Sequence, residues 1–546
     1  MRSASTALVL ALMALLLCMP AFPSPETPLP AASAIPDLIP TPSGIPEGRT
    51  DDPGRYPTRH RPYPGTPGTP GTPSTPSTPS TASPSPALAP DATIRPSPFV
   101  VAPYVQPGPD PHEGDLVLLW ETADRADDWR VQVRGSMNEG WRESAVARGK
   151  RVALPGVAPW RSWSAPLAPL AAGTTAWYRV LRHGDVVFSS FARTRKTNAQ
   201  ASRFAIFGDA AEGTAEQKAI AWQAWRQAPD CVFITGDVVY PYGRLSDYRR
   251  NFFPIYNADE GTPTKGAPLL RTVPTWSVVG NHDSGKTSSH DVRDLERFPD
   301  GLSWFLVWSL PLNGPLVSPA QGEAPQILAP PAVRDAFVQA AAPAYPRMGN
   351  YSFDFGNTHW TVLDGNDHMD WTKAHLRNWV RDDLLAARNA TWRLVAVHQA
   401  PFHSSPHHAD DQRVRLLADI FEQGRVDVVL SGHVHHYERS RPLRFVAGRP
   451  ATDARGRVDG EITVDRRYDG RKETRPQGII YIVTGAGGAA IDSKQPEGKP
   501  ASWQPFTARV VTRRHSMTLM DATDRSLVFR QLAGDGNEVD QFVVTR

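Results

Sequence analysis

Residues 427–439 read DVVLSGHVHHYER, a short apolar run followed at once by two histidines one residue apart, His433 and His435. Such a run is typical of a buried strand in a parallel sheet, and Gly432 permits a sharp turn at its end. The same design recurs in RFAIFGD, CVFITGDVVY, TWSVVGNHD and RLVAVH, at residues 203–209, 231–240, 275–283 and 393–398. We therefore predict five strands, each of which ends beside an oxygen or imidazole side chain.

Helical patterns lie between or beside these strands, at residues 215–228, 372–388 and 411–423. Alternation of short apolar strands with helices predicts an α/β domain with mostly parallel strands. In such sheets, ligands collect at the carboxyl ends of the strands. The side chains that we expect to meet there are Asp209, Asp237, Tyr240, Asn281, His398, His433 and His435.

Each of these pieces alone is weak evidence for a metal site. A Gly-Asp pair at a strand end is usually a turn, an isolated asparagine is usually a turn residue, and His-x-His is commoner in a strand edge or loop. The joint pattern, in which aspartate, asparagine, tyrosine and histidine follow five strands in order, favours a metal centre over coincidence.

The blocks GDVVY, GNHD, VAVH and GHVHHYER resemble those of the plant-type and bacterial purple acid phosphatases, within the calcineurin-like metallophosphoesterase superfamily. Tyr240 and the HYER extension are the specific parts, since other metallophosphoesterases share the remaining motifs. The stretches YIVTGAGG, at 481–488, and HSMTLMDA, at 515–522, resemble the family's C-terminal region. The resemblance implies an α/β metallophosphoesterase fold, an αββα sandwich of two mixed β-sheets flanked by helices, preceded by a fibronectin III-like β-sandwich.

The resemblance also implies a ligand set for two metal ions. A ferric ion would be held by Asp209, Asp237, Tyr240 and His435. Asp237 would bridge to a divalent ion that is also held by Asn281, His398 and His433. The donor chemistry agrees, because carboxylate and phenolate oxygens suit Fe(III), whereas two imidazoles and an amide oxygen suit Zn, Mn or Fe(II). The implied activity is hydrolysis of phosphate monoesters, with a metal-bound hydroxide as nucleophile.

Three further histidines and one aspartate are candidate catalytic residues. We expect His282 and His408 to bind phosphate, His408 to act also as general acid, and His407 to give a supporting contact. Asp283 is expected to orient the imidazole of His282. His403 is interpreted as an ordinary loop histidine.

Composition divides the chain into four segments. Residues 1–23 resemble a signal peptide, and residues 24–96 are a Pro-, Thr- and Ser-rich linker that we expect to be disordered. Short strands at 97–196 predict the β-sandwich, and residues 202–546 the catalytic domain. We expect an exported protein, periplasmic or secreted, without a lipid anchor or stable membrane insertion. A net charge of +3 gives no reason to expect nucleic acid as an obligatory partner.

Three functions stay open from the sequence alone. The first is hydrolysis of small phosphate monoesters, the second is a phosphodiesterase or phospholipase-like activity on the same metal scaffold, and the third is a non-catalytic exported binding protein. Residues 301–347 match no family block; they form either a lid or rim of the site, or a surface elaboration that packs its own aromatic residues.

Overall fold

A computed structural model describes residues 97–110, 116–168, 170–287, 290–492 and 496–546. The predicted signal peptide at 1–23 and linker at 24–96 lie outside the described residues. In the described part of the chain, no helix has the length and apolar character needed to cross a membrane.

The N-terminal part consists of two four-stranded antiparallel sheets, with strand orders β1-β2-β6-β5 and β4-β3-β7-β8. The strands are β1 Val101–Gln106, β2 Val117–Ala123, β3 Trp129–Arg134, β4 Arg142–Val146, β5 Arg148–Val152, β6 Trp160–Pro166, β7 Thr175–Arg182 and β8 Asp185–Arg193. The buried rings of Trp120, Trp129 and Trp163 pack together in their core, with centroids 5.7 to 6.3 Å apart. This arrangement confirms the predicted β-sandwich.

The remaining strands form two mixed sheets and a hairpin. They are β9 Ser202–Phe207, β10 Cys231–Ile234, β11 Thr275–Ser277, β12 Tyr351–Phe355, β13 Thr358–Leu363, β14 Trp392–Val397, β15 Val428–Ser431, β16 Tyr437–Ser440, β17 Leu443–Ala447, β18 Gly460–Val464, β19 Ile480–Thr484, β20 Thr507–Val511, β21 Ser516–Ala522, β22 Ser526–Ala533 and β23 Glu538–Thr545. One sheet has the order β11-β10-β9-β21-β22-β23, the other β12-β13-β14-β15-β19-β16-β20, and β17 pairs with β18. All five strands predicted from the sequence are present, and β9 to β11 and β13, β14, β15 and β19 run parallel.

The helices are short. They are α1 Ala215–Arg226, α2 Leu245–Asp247, α3 Phe253–Tyr256, α4 Leu269–Thr272, α5 Asn281–Ser284, α6 Trp304–Val307, α7 Pro331–Ala341, α8 Ala374–Ala386 and α9 Ala418–Gln423, with a π-helical turn at Tyr248–Phe252. The predicted helices at 215–228 and 372–388 are α1 and α8. The predicted helix at 411–423 is instead a 3-10 turn, Arg413–Leu417, followed by α9.

The core lies between the two mixed sheets. Phe233 of β10 stacks on Trp360 of β13, with ring centroids 4.7 Å apart. Along β14, Leu394 belongs to this inner core, whereas the next residue, Val395, belongs to the cluster that contains the apolar side chains of α8 and α9. Because successive side chains of a strand point to opposite faces, β14 is covered on both sides, which explains its uninterrupted apolar sequence.

Residues 301–347 are not a surface elaboration, as one sequence interpretation had it, although some of their aromatic residues contact one another, such as Phe305 and Tyr345 at a centroid distance of 5.3 Å. Trp304 and Trp308 are buried and belong to the main core. Trp304 donates its indole N–H to Ser277 Oγ over 3.3 Å, and Trp308 donates to Tyr248 Oη over 3.2 Å. The aromatic part of this segment is therefore a component of the fold.

Candidate metal centre

The carboxylate of Asp237, which follows β10, lies between two groups of metal-binding side chains. Its Oδ2 lies 2.9 Å from Tyr240 Oη. Its Oδ1 lies 3.3 Å from His398 Nε2 and also accepts the backbone N–H of His282 over 2.8 Å. The two oxygens of one side chain thus contact different donor groups, which is one arrangement in which a carboxylate can bridge two cations.

The first donor set surrounds the phenol of Tyr240. Tyr240 Oη lies 3.0 Å from Asp209 Oδ1 and 2.9 Å from His435 Nε2. His435 Nε2 is in turn 3.4 Å from Asp209 Oδ1. The four side chains assigned from the sequence to a ferric ion are therefore adjacent.

The second donor set surrounds His398, which follows β14. Asn281 Oδ1 lies 3.2 Å from His398 Nε2. The imidazole of His433 lies beside the imidazole of His398, with ring centroids 5.1 Å apart. Together with Asp237 Oδ1, these are the side chains assigned from the sequence to the divalent ion.

Hydrogen bonds to backbone carbonyls orient two of the three ligand histidines. His398 donates from Nδ1 to the carbonyl of Thr235 over 2.8 Å, and His435 donates from Nδ1 to the carbonyl of Ala490 over 2.7 Å. Both rings therefore offer the lone pair of Nε2 to the site. Contacts of this kind fix the tautomer and the ring plane of a metal-ligating histidine before the metal binds.

Burial and charge test whether these residues fit metal ions. The side chains of Asp209 and Asp237 are 0% and 1% exposed, and their ion pairs in the described residues are with histidines. Burial, followed by the negative charges of Asp209 and Asp237, raises the pKa of Tyr240 well above its usual value. The single hydroxyl proton of Tyr240 cannot form hydrogen bonds with two carboxylates and an imidazole at once. Cations would remove this shortage of positive charge, so the donor set fits a metal pair.

Three of the proposed ligands have a left-handed backbone. The φ angles of Asp209, Asp237 and His433 are 54°, 46° and 69°. A non-glycine residue in this region costs of order 1 to 3 kcal/mol, and such residues cluster at functional sites. The strain therefore marks the same positions that the sequence pattern indicates.

Two glycines of the motifs are required by close packing. A Cβ at Gly432 would lie 2.6 Å from Asp209 Oδ2, and a Cβ at Gly280 would overlap Asp237 Oδ1 and the Asp237 backbone nitrogen. Neither glycine has a positive φ. The sequence had suggested that these glycines permit sharp turns. The structure shows instead that glycine is needed there because the ligand carboxylates lie close to the backbone.

The candidate catalytic histidines lie at the rim of the donor sets. The imidazole of His282 packs against Tyr240 in a tilted arrangement at a centroid distance of 4.4 Å, and its Nε2 is 3.9 Å from Asp237 Oδ2. The imidazole of His408 lies 4.0 Å from that of His433 and is 26% exposed. His407 is more exposed and lies 6.4 Å from His408, centroid to centroid. His282 and His408 therefore lie beside the donor sets, and His407 lies farther out.

The predicted pairing of Asp283 with the imidazole of His282 is wrong. His282 donates from Nδ1 to the carbonyl of Pro241 over 2.7 Å. Asp283 is buried and accepts the backbone N–H groups of Gly280, over 2.9 Å, and Val238, over 3.2 Å. Burial first, and then the charge of Asp237, raises the pKa of Asp283 to about 7. Asp283 therefore holds the two ligand loops together instead of orienting a catalytic ring.

Sequence reasoning missed three residues around the site. His433 donates from Nε2 to Asp411 Oδ2 over 2.9 Å, and Asp492 Oδ2 accepts the backbone N–H of His435 over 3.0 Å. His403 is buried and donates from Nε2 to the carbonyl of His408 over 3.2 Å, so it supports the catalytic loop. The sequence carries a signal for Asp411, which follows the histidine pair as His-His-Ala-Asp-Asp.

Comparison with known proteins agrees with this geometry. Residues 202–437 match the calcineurin-like phosphoesterase family, and all seven proposed ligands lie within the match. The chain carries a calcineurin-like phosphoesterase domain. It is 24% identical over 407 residues to an uncharacterised protein of Mycobacterium tuberculosis, covering 69% of this chain and 67% of that protein.

The phosphoesterase domain is similar to purple acid phosphatases. Purple acid phosphatase 21 of Arabidopsis thaliana is 31% identical over 161 residues, which covers 27% of this chain and 29% of the plant protein. The structure of purple acid phosphatase PPD1 from yellow lupin seeds superposes with a TM-score of 0.55 at 16% identity, covering 81% of this chain and 74% of that one. This likeness confirms the fold predicted from the sequence, a phosphoesterase domain preceded by a β-sandwich.

Proposed function

We propose that the chain hydrolyses phosphate monoesters at a pair of metal ions, Fe(III) and a divalent ion. The observation that carries the proposal is the position of Asp237, whose two carboxylate oxygens face Tyr240 on one side and His398 on the other, at 2.9 and 3.3 Å. The matched family supports metal-dependent hydrolysis of phosphoesters. Similarity to purple acid phosphatases supports the monoester and iron assignments.

The metal pair, when bound, supplies a water nucleophile of lowered pKa and positive charge for the phosphate oxygens. The chain's own groups supply the rest. His282 and His408 lie on opposite sides of the donor sets, beside Tyr240 and His433. Both can donate an N–H to phosphate oxygens on which negative charge accumulates.

His408 is the residue that we assign as general acid. Its ring is partly exposed, so it can contact a substrate that approaches from solvent. The carboxylates of Asp411 and Asp492 lie 3.6 Å from its Nδ1 and 3.8 Å from its Nε2. A histidine N–H in this position can deliver a proton to a leaving-group oxygen.

The decisive experiment uses the full chain, loaded with iron and then with Zn, Mn or Fe(II). We expect release of phosphate from phenyl phosphate, a visible absorption band, and loss of both in Asp237→Ala. Absence of monoester hydrolysis from fully loaded protein would refute the proposal. Faster hydrolysis of bis(4-nitrophenyl) phosphate than of phenyl phosphate would support the phosphodiesterase alternative, and metal retention without either activity would support a binding protein.

Export is part of the proposal, because residues 1–23 have the layout of a signal peptide. We expect the protein in the periplasmic or culture fraction of a bacterial host, shortened by about that segment. Retention of the full-length chain in the cytoplasm would contradict this part.

A further inference from the structure

A cavity of about 690 Å³ adjoins the candidate catalytic histidines. His407 and Asp492 line it on the side of the metal centre, and Arg415, Lys499 and Phe506 are among the other lining residues. Its volume is within the range of sites that enclose small organic molecules. The two donor sets do not line it, so its role is separate from metal binding.

The cavity lies on the side of the site where a leaving group would depart. Asp492, one of its lining residues, has carboxylate oxygens 3.8 Å from His408 Nε2 and 3.7 Å from His435 Nδ1. A general acid must lie within hydrogen-bond reach of the leaving-group oxygen. If His408 is that acid, the rest of the leaving group extends beside His408, towards the cavity.

Arg415 brings a positive charge to this cavity, and the charge of Asp459 acts on it without forming an ion pair. It donates from Nε to the carbonyl of Pro401 over 2.6 Å, and its guanidinium lies 4.5 Å from the ring centre of Phe402. In the described part of the chain, its other N–H groups have no hydrogen-bond partner and no carboxylate lies within ion-pair distance. Burial lowers the pKa of Arg415 to about 10, which shows how poorly the guanidinium is solvated.

Lys499 supplies a second cation. Its side chain is exposed and has no hydrogen bond or ion pair with the described residues. Of the described residues that line the cavity, Asp492 is the one carboxylate, and it lies at the metal end. The described residues that line the cavity near Arg415 and Lys499 therefore bring positive charge and include no carboxylate other than Asp492 at the metal end.

We propose that this cavity binds the leaving group of the substrate and selects phosphate monoesters whose alcohol part carries a second anionic group. Arg415 binds that group with its free N–H pair, since a planar guanidinium matches the geometry of a carboxylate or phosphate. Phe402 holds the guanidinium in position by stacking, and Lys499 adds attraction from the rim. This inference rests on the proposed monoesterase function.

The test compares phenyl phosphate with 4-carboxyphenyl phosphate, which differ by one carboxylate. The measured quantity is the ratio of their kcat/KM values. Arg415→Met should lower the preference for the carboxylated ester by about tenfold or more, since it removes a charged hydrogen-bond pair with the carboxylate. Lys499→Met should lower the same preference by about threefold. Because Lys499 is exposed, this substitution should not impair folding.

Arg388→Met is the matched control, because Arg388 is an exposed arginine that lines a different cavity. It should leave the ratio unchanged. A phenyl ester substituted with a second phosphate, tested beside the carboxylate, shows which anion is preferred. An unchanged ratio in both Arg415→Met and Lys499→Met, with phenyl phosphate still hydrolysed, would overturn this inference alone. Failure of the wild-type protein to hydrolyse phenyl phosphate would overturn the proposed function and this inference together.

Discussion

Asp411 Oδ2 accepts the Nε2–H of His433 over 2.9 Å, so Nδ1 is the nitrogen of that ring that would be left to bind a metal ion. His398 and His435 have the opposite arrangement, because backbone carbonyls bind their Nδ1 atoms. Asp411 is thus the one side chain among these three orienting partners, and it can be changed by mutation without altering the backbone.

Removal of the Asp411 carboxylate should weaken metal binding. We expect Asp411→Ala to lower the affinity of the divalent ion by about 10- to 100-fold, the usual effect of losing a carboxylate that orients a ligand histidine. Metal content after dialysis against a graded series of chelator concentrations measures this. Asp410→Ala is the matched control, since Asp410 pairs with Arg457 instead. Equal metal retention in the two variants would contradict the prediction.

Tyr240 should determine the colour of the protein. A phenolate bound to Fe(III) absorbs visible light, so Tyr240→Phe should abolish the band while iron stays bound through Asp209, Asp237 and His435. Absorption spectra recorded with iron analysis on the same samples test this. Tyr242→Phe provides the comparison, because Tyr242 contacts His290 and Phe298 and not the donor sets. A band that survives in Tyr240→Phe would show that Tyr240 is not an iron ligand.

The two adjacent loop histidines should differ in their effect on turnover. His408→Ala should lower kcat by about 10²- to 10⁴-fold with metals retained, the range expected for loss of a general acid. His407→Ala should have a much smaller effect, because that side chain is exposed and lies farther from His433. The relevant measurements are kcat for phenyl phosphate and metal content. Similar losses in both variants would count against His408 as the acid.

A buried histidine away from the site should make stability depend on pH. Burial alone would lower the pKa of His359, but its hydrogen bonds with Asp354 and Asp383 raise the pKa to about 9. Because this pKa is above the unfolded value of about 6.5, the protonated ring stabilises the fold fully below about pH 6.5. The contribution, on the order of 3 kcal/mol, is lost as the pH rises through about 9.

Urea unfolding of wild type and His359→Gln at several pH values measures that contribution. The wild type should be the more stable at about pH 6, and the difference should shrink by about pH 9.5. Thr358→Ser, next to His359 in β13, serves as the control for a mutation in the same strand. A difference that does not change with pH would show that His359 stays neutral in the folded protein.

The sequence predicted the strands that carry the ligands better than it predicted the sandwich. The five ligand strands are continuous apolar runs, because both of their faces are covered, and such runs are easily recognised. The strands of the sandwich are harder to recognise: β4 and β5, with the sequences RESAV and RGKRV, are mostly exposed and lack the alternation of a half-buried strand.

The contacts around the ligands were harder to predict, because they join loops that are far apart in the chain. Asp492 lies 57 residues from His435, whose backbone N–H it binds. Asp283, in contrast, is next to His282 in sequence, yet the chain direction at α5 turns its carboxylate towards the backbone of Val238. Residues that are adjacent in sequence need not contact each other, and hydrophobic periodicity does not predict side-chain hydrogen-bond partners.

The left-handed conformations of Asp209, Asp237 and His433 have a consequence for how this sequence can change. At each of these positions glycine would relieve the backbone, so a substitution that removes a ligand would also remove strain. Selection for folding stability alone would therefore favour sequences that are more stable but lack the proposed metal ligands. The native side chains occupy these positions despite the conformational cost of a left-handed backbone.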